Sequence, residues 1–157
     1  MAEHVFTTQQ LIARPRPEVF DFFSKAENLE RITPPELSFH IVTPVAVKIE
    51  KGCLIDYRLS LHGIPMKWQS SITVWDPPNE FADEQTIGPY KQWVHRHSFT
   101  EIDAGTTLID DEVRYRLPLE PFGDIVHVFV ERELTNIFAH RQKTVEDLFS
   151  AGTPPPP

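Results

Sequence analysis

Between Leu54 and Leu117 apolar and polar residues alternate with a period of two, in five runs: Leu54 to His62, Met66 to Trp75, Phe81 to Ile87, Lys91 to Phe99 and Thr107 to Leu117. Successive side chains of a strand point to opposite faces, so each run predicts a strand with one covered face and one wet face. Short connections rich in turn formers join the runs: His62-Gly63-Ile64-Pro65, Asp76-Pro77-Pro78-Asn79, Gly88-Pro89-Tyr90 and Asp103-Ala104-Gly105. Parallel neighbours would need long crossovers, so these runs are expected to form antiparallel hairpins.

Upstream, His4 to Ile12 reads as a further strand, and Ala13-Arg14-Pro15-Arg16-Pro17 stops it and sets up a helix from Glu18, made apolar by Val19, Phe20, Phe22 and Phe23. A second helical turn, Glu27 to Ile32, ends before Pro34-Pro35, and Leu37 to Thr43 reads as another strand. From Phe122 to Phe149 the period becomes helical, with Val126, Phe129, Val130, Ile137, Val145 and Leu148 recurring at three- and four-residue spacing. At about 1.5 Å per residue this helix would run roughly 40 Å, enough to cross the sheet. The expected fold is α+β: a curved antiparallel sheet of about six to seven strands, two short helices, and a long C-terminal helix packed across it.

Pairing each hairpin about its turn links the strands into two faces. The covered face carries Ile55, Tyr57, Leu59 and Leu61; Met66, Trp68, Ser70, Ile72 and Val74; Phe81, Asp83, Gln85 and Ile87; Trp93, His95, His97 and Phe99; and Ile109, Asp111, Val113, Tyr115 and Leu117. The opposite face is dominated by charged and polar residues, as one wet side of a sheet requires. Ser70, Asp83, Gln85, His95, His97, Asp111 and Tyr115 are the polar minority on the covered side. Left unpaired in a dry core, each would cost roughly 1–3 kcal/mol, so a cavity holding water or a ligand accommodates them better.

Composition narrows the function. A chain of 157 residues with 40% hydrophobic and 24% charged positions suits one globular domain, expected over 1–150, with the proline-rich 151–157 as a disordered tail. The formal net charge of −8 argues against a grip on nucleic-acid phosphates. The first ten residues lack a secretory leader's pattern and no run approaches a membrane span, so a cytoplasmic protein without membrane insertion is expected. The single Cys53 supports neither an intrachain disulfide nor a cysteine zinc site, and is expected to be a buried inert thiol.

The element order, together with Ile55-Asp56-Tyr57-Arg58-Leu59, Gly88-Pro89-Tyr90 followed by Trp93-x-His95, and Asp111-x-Val113-x-Tyr115-x-Leu117-Pro118 through Pro121-x-Gly123, resembles the START-like or SRPBCC superfamily. This is the helix-grip fold of the birch pollen allergen and of polyketide cyclases. The resemblance spans about residues 3 to 149 and is nearest to a bacterial ligand-binding branch, some domains of which are fused to sugar-nucleotide epimerase-like domains. It implies a cavity between the sheet and the last helix, in agreement with the parity of the strands.

The residues expected to meet a ligand there are Tyr57, Leu59, Trp68, Ser70, Ile72, Asp83, Gln85, Trp93, His95, His97, Asp111, Val113 and Tyr115, with Phe129 and Ile137 from the long helix. The register expected from the turns sets His97 opposite Asp111, Trp93 opposite Tyr115, and Asp83 near His95. A carboxylate beside an imidazole suits a general base, and Tyr115 could donate to a developing enolate oxygen, which would be cyclase or dehydratase chemistry on His97, Asp111 and Tyr115. The plainer reading is a self-satisfied hydrogen-bond network that orients a ligand. Two histidines at i and i+2 with a nearby carboxylate could also bind a metal, but no zinc-enzyme spacing supports this and no cofactor is expected. No phosphate-binding glycine loop or serine-hydrolase elbow is present. Binding of a small, largely apolar molecule (lipid-like, polyketide-like or aromatic) is therefore the leading expectation, with catalysis or a protein-interaction role as alternatives; monomer, homodimer and complex with a protein partner all stay open.

Overall fold

The computed structural model describes residues 2–44, 49–118 and 123–150. In chain order they form β1 (His4–Ile12), α1 (Arg16–Phe23), α2 (Ala26–Ile32), a 3-10 turn (Pro35–Leu37), β2 (His40–Ile41), β3 (Leu54–Leu61), β4 (Ile64–Asp76), β5 (Glu80–Ile87), β6 (Gln92–Asp103), β7 (Thr106–Arg116) and α3 (Gly123–Ser150). The tail read as disordered, 151–157, lies outside the described residues, as does Phe122, the expected first residue of the long helix.

All seven strands pair antiparallel in one curved sheet of order β1-β7-β6-β5-β4-β3-β2. The expected strand over Leu37–Thr43 shrinks to His40–Ile41, because the Pro35–Leu37 turn and a left-handed Ser38 (φ 45°) bend the chain before it can pair. The β3–β4 hairpin is tighter than expected. His62 and Gly63 take φ of 51° and 79°, a two-residue turn of the kind that matches strand twist, so β4 begins at Ile64.

Two irregularities of β4–β5 pairing correct the expected faces. Ile72 pairs with Asp83 but Val74 with Ala82, leaving Thr73 as an extra residue on β4. A single inserted residue reverses parity beyond it, so Trp75, not Val74, packs into the core. Likewise Gln69 pairs with Ile87 while Ser70 pairs with Gln85, and Ile87, expected inside, is 53% exposed.

The helices are tied to the sheet by polar straps at their edges. Gln142 Nε2 donates to Thr8 Oγ1 at 2.8 Å, and Gln10 Nε2 to the Gln142 carbonyl at 2.8 Å, fixing α3 along β1. Arg14 donates to the Phe149 carbonyl at 2.7 Å, satisfying one of the open acceptors in the last turn of α3. Beneath that end, Phe20 meets Phe81 and Phe99 edge-on at 5.7 and 5.1 Å, and Phe22 meets Phe149 at 5.2 Å. A second cluster, Val113, Tyr115, Leu117, Leu134 and Phe138, packs toward the start of α3, and a third, Ile55, Tyr57 and Ile72, lies under α2. Among the described residues no helix is long and apolar enough to cross a membrane.

Candidate functional site

Between these three clusters the sheet and helices leave a cavity of about 230 Å³. Its walls are largely apolar: Tyr57, Leu59, Trp68, Ile72 and Trp93 from the sheet, Leu29 and Ile32 from α2, Ile137 and Phe138 from α3. Trp68 and Trp93 stand edge to face at 5.3 Å, and Tyr90 leans on Trp93 at 4.8 Å. The buried Ser70 hydroxyl accepts from Trp68 Nε1 at 3.0 Å, which satisfies the indole and fixes the plane of its ring. Burial, with the Asp83 charge adding, pushes the Tyr57 phenol far above its ordinary range, so it remains a neutral donor.

One patch of the wall is ionic. The backbone register is as expected, with Asp83 opposite His95 and His97 opposite Asp111. The side chains, however, bond along the diagonals: His95 Nε2 to Asp111 Oδ1 at 2.8 Å, and His97 Nε2 to Asp83 Oδ2 at 3.2 Å. His97 Nδ1 also lies 3.1 Å from Asp111 Oδ1, too obliquely for a good hydrogen bond. Burial disfavours charge on His97, but its contacts with Asp111 and Asp83 outweigh burial and hold the imidazole above its ordinary range. Burial, then the neighbouring His97 charge, pulls His95 below its ordinary value in spite of Asp111. An ionised carboxylate only accepts, so His95 donates Nε2–H to Asp111 and its Nδ1 keeps a lone pair. That nitrogen has no hydrogen-bond partner among the described residues, and the ring borders the cavity.

Sequence reasoning missed one member. Arg141 of α3 is 7% exposed, borders the cavity, and brings Nη2 to 3.9 Å from Asp111 Oδ1. Burial opposes ionisation of Asp111, yet the Arg141 charge and the two histidines hold its carboxyl well below the usual range. Asp83 is also held low, by His97 first among its partners, against burial. Two carboxylates thus face Arg141 and two histidines, of which His97 takes a proton more readily than His95.

Five expected ligand contacts lie off the cavity wall. Gln85 turns back to the β5–β6 connection, donating to the Tyr90 carbonyl at 2.7 Å and accepting from its N–H at 3.2 Å; a Cβ at Gly88 would collide with it. Val113 is packed in the core, away from the cavity wall. The Tyr115 hydroxyl meets His127 Nδ1 at 2.9 Å near the start of α3, so it is not placed to serve chemistry at His95 and His97. Phe129 is 67% exposed, because the helical turn that puts Val130, Leu134, Ile137 and Phe138 inward puts it outward. Asp111 stands behind the histidines rather than on the cavity wall.

Asp83, His95 and His97 each offer a donor atom within 4.8 Å of the others, and form the group among the described residues that could hold a metal ion. Asp111 and Asp83 already bond the Nε2 atoms of both histidines, and Arg141 adds a positive charge nearby, so the arrangement favours the hydrogen-bonded network.

The opposed shifts of the two histidines predict a pH signature. His97, raised in the folded state, contributes stability that is complete below the ordinary value of about 6.5 and lost as pH rises through its folded value. His95, lowered, contributes above about 6.5 and loses that contribution as pH falls through its folded value. Thermal melts from pH 6 to 9 should therefore decline on the alkaline side in the wild type and flatten in His97→Asn. Nitrogen NMR of the imidazoles should find His97 still protonated where His95 is neutral with its proton on Nε2; the reverse order would refute the assignment.

No family model matches the chain, and no curated protein matches it. Solved structures do resemble it. A START superfamily protein from Mycobacterium smegmatis superposes with a TM-score of 0.72 at 13% identity, covering 94% of this chain and 98% of that one. The Zhui aromatase/cyclase from a Streptomyces species gives 0.68 at 15% identity over 96% and 99% of the two chains. Norcoclaurine synthase from Thalictrum flavum, in complex with dopamine and hydroxybenzaldehyde, gives 0.71 at 12% identity over 96% and 88%.

Proposed function

We propose that this chain, which has the START-like helix-grip fold, binds a small, largely apolar molecule between its sheet and α3. The observation that carries the reading is the ring-lined, largely apolar cavity of about 230 Å³ with a few polar groups on its wall, Asp83, His95, His97 and Arg141 among them. Apolar walls with a few convergent polar groups are the usual anatomy of small-molecule sites. The volume is below the roughly 300–1,000 Å³ typical of drug-sized pockets, which favours a ligand of one or two rings or a short chain. A fold neighbour holding dopamine and hydroxybenzaldehyde, each a one-ring molecule, supports that scale.

Native mass spectrometry of the protein purified from its own host, before and after denaturing extraction, tests this directly. A co-purified small molecule is expected, and it should be lost in Trp93→Ala, which removes one wall of the cavity. An empty protein that also ignores a broad panel of aromatic and lipid-like compounds, read by quenching of Trp68 and Trp93 fluorescence, would sink the reading and favour an interaction role.

A second reading, acid–base catalysis, is favoured by the Asp111–His95 pair with its open Nδ1. In that case His95, rather than His97, is the base: Nδ1 takes a proton from an activated carbon of the ligand, and Asp111 stabilises the resulting imidazolium. His95→Asn should then abolish turnover while ligand binding survives. Turnover that persists in His95→Asn excludes this role.

A further inference from the structure

Arg141 occupies a helix position that the packing of α3 would assign to a hydrophobic residue. Leu134, Phe138 and Val145 are buried at spacings of four and seven, and Arg141 falls between the last two on the same stripe. Its stem is long enough for the guanidinium to reach water from many such positions, but here the group stays inside, 8% exposed over the side chain. The Phe23 and Phe138 rings lie 5.1 and 5.4 Å from its central carbon and hold it in place.

What it lacks is an acceptor. A guanidinium carries five N–H donors in a planar fork, and Arg141 makes no hydrogen bond to any described residue. Its nearest carboxylate oxygen, Asp111 Oδ1, is 3.9 Å away and already accepts from His95 at 2.8 Å. Asp83, the other carboxylate of the cluster, bonds to His97. The two carboxylates of the cluster are thus engaged by histidines, and the arginine borders the cavity without a hydrogen-bond partner among the described residues.

Building on the reading of the cavity as a ligand site, we propose that Arg141 receives an acidic group of the ligand, so that the natural guest is an apolar ring or chain carrying a carboxylate. A carboxylate matches the fork of the guanidinium with two parallel hydrogen bonds, the strongest pairing such a donor set makes. The apolar remainder of the guest then lies against Tyr57, Trp68 and Trp93. Neutral apolar compounds fit the walls but leave the guanidinium unsatisfied, and this is the basis of selectivity.

Naphthoate and naphthamide differ in charge and hardly in shape, and isothermal titration of both against the full chain tests the proposal. Wild type should bind naphthoate at least about tenfold more tightly. Arg141→Met should erase that preference while leaving naphthamide within about twofold of wild type. Circular dichroism and a thermal melt check the fold of each variant. If Arg141→Met does not fold, Arg141→Lys decides, since it keeps the charge without the fork and must weaken naphthoate more than naphthamide. Equal wild-type affinities, or a preference that survives Arg141→Met, overturn the anion site and leave the cavity reading standing. Failure of both compounds, extended to a panel of ring and alkyl carboxylates and their amides, overturns the cavity reading and this proposal together.

Discussion

Asp111→Ala should destabilise the fold by about 3–5 kcal/mol, the range seen when one partner of a buried ionic group is removed and the others are left without compensation. Asp111 is the centre of the buried cluster: it accepts from His95, lies 3.1 Å from His97 Nδ1 and faces Arg141. Without it, His97 keeps only Asp83, and Arg141 loses the carboxylate nearest to it. For a chain of this size the loss corresponds to a fall of about 6–20 °C in melting temperature. Because the cost comes from stranded cations, Asp111→Ala combined with Arg141→Met should be less destabilised than the sum of the two single variants; strict additivity would refute the coupling. The acid limb gives a second check. Asp111 is held low in the fold, so its contribution is present above the ordinary carboxylate value of about 3.9 and is lost as pH falls through the folded value. Asp111→Ala should therefore show a shallower loss of stability on acidification.

The sheet was legible because its signal is geometric and repeats. A period of two over five consecutive runs leaves little freedom in which residues face inward, and the short turns set the register, so the backbone pairings of His97 with Asp111 and Asp83 with His95 followed from counting. The same counting failed wherever one residue was inserted. Thr73 and Thr86 carry no chemical mark that distinguishes a bulge from an ordinary strand position, and Trp75 and Ile87 changed sides because of them. Side-chain partners were a further step removed: adjacent backbones place two pairs of groups within reach, and only the side-chain torsions decided that the bonds run diagonally.

The long helix contained a signal that went unread. Spacing Val130, Leu134, Phe138 and Val145 on a 3.6-residue turn brings Arg141 onto the apolar stripe and rejects Phe129, which follows Val126 at three residues but falls out of phase with Leu134. A charged residue on a buried stripe is costly unless something answers it. That cost was available in the sequence as a pointer to the ionic part of the cavity wall, and it would have identified Arg141 before any coordinates. Tyr115 is different: its inward parity was right, but its hydroxyl found His127 near the start of α3, which no strand-level argument anticipates.

Ile137→Trp should weaken ligand binding by at least about a hundredfold while leaving the fold intact. Ile137 borders the cavity from α3 and is only half-buried, so an indole there can extend into the existing space rather than displace packed atoms. It would occupy volume that the guest otherwise fills. An aromatic guest excluded from about 100–150 Å² of apolar contact forfeits roughly 3 kcal/mol at 25 cal/mol per Å², or about two orders of magnitude in affinity. Stability should be unchanged or slightly raised, because filling a void with apolar surface restores contacts that the empty cavity lacks. Phe129→Trp on the exposed side of the same helix is the matched control and should alter neither binding nor melting. Binding is read by titration with a ligand that the wild type accepts, and folding by thermal melts. If Ile137→Trp folds and binds like wild type, the guest does not occupy this space, and the search for function moves to the surface. If binding collapses in Ile137→Trp alone, the space between sheet and helix is the site, and the ionic groups on its wall become the next positions to test for selectivity and turnover.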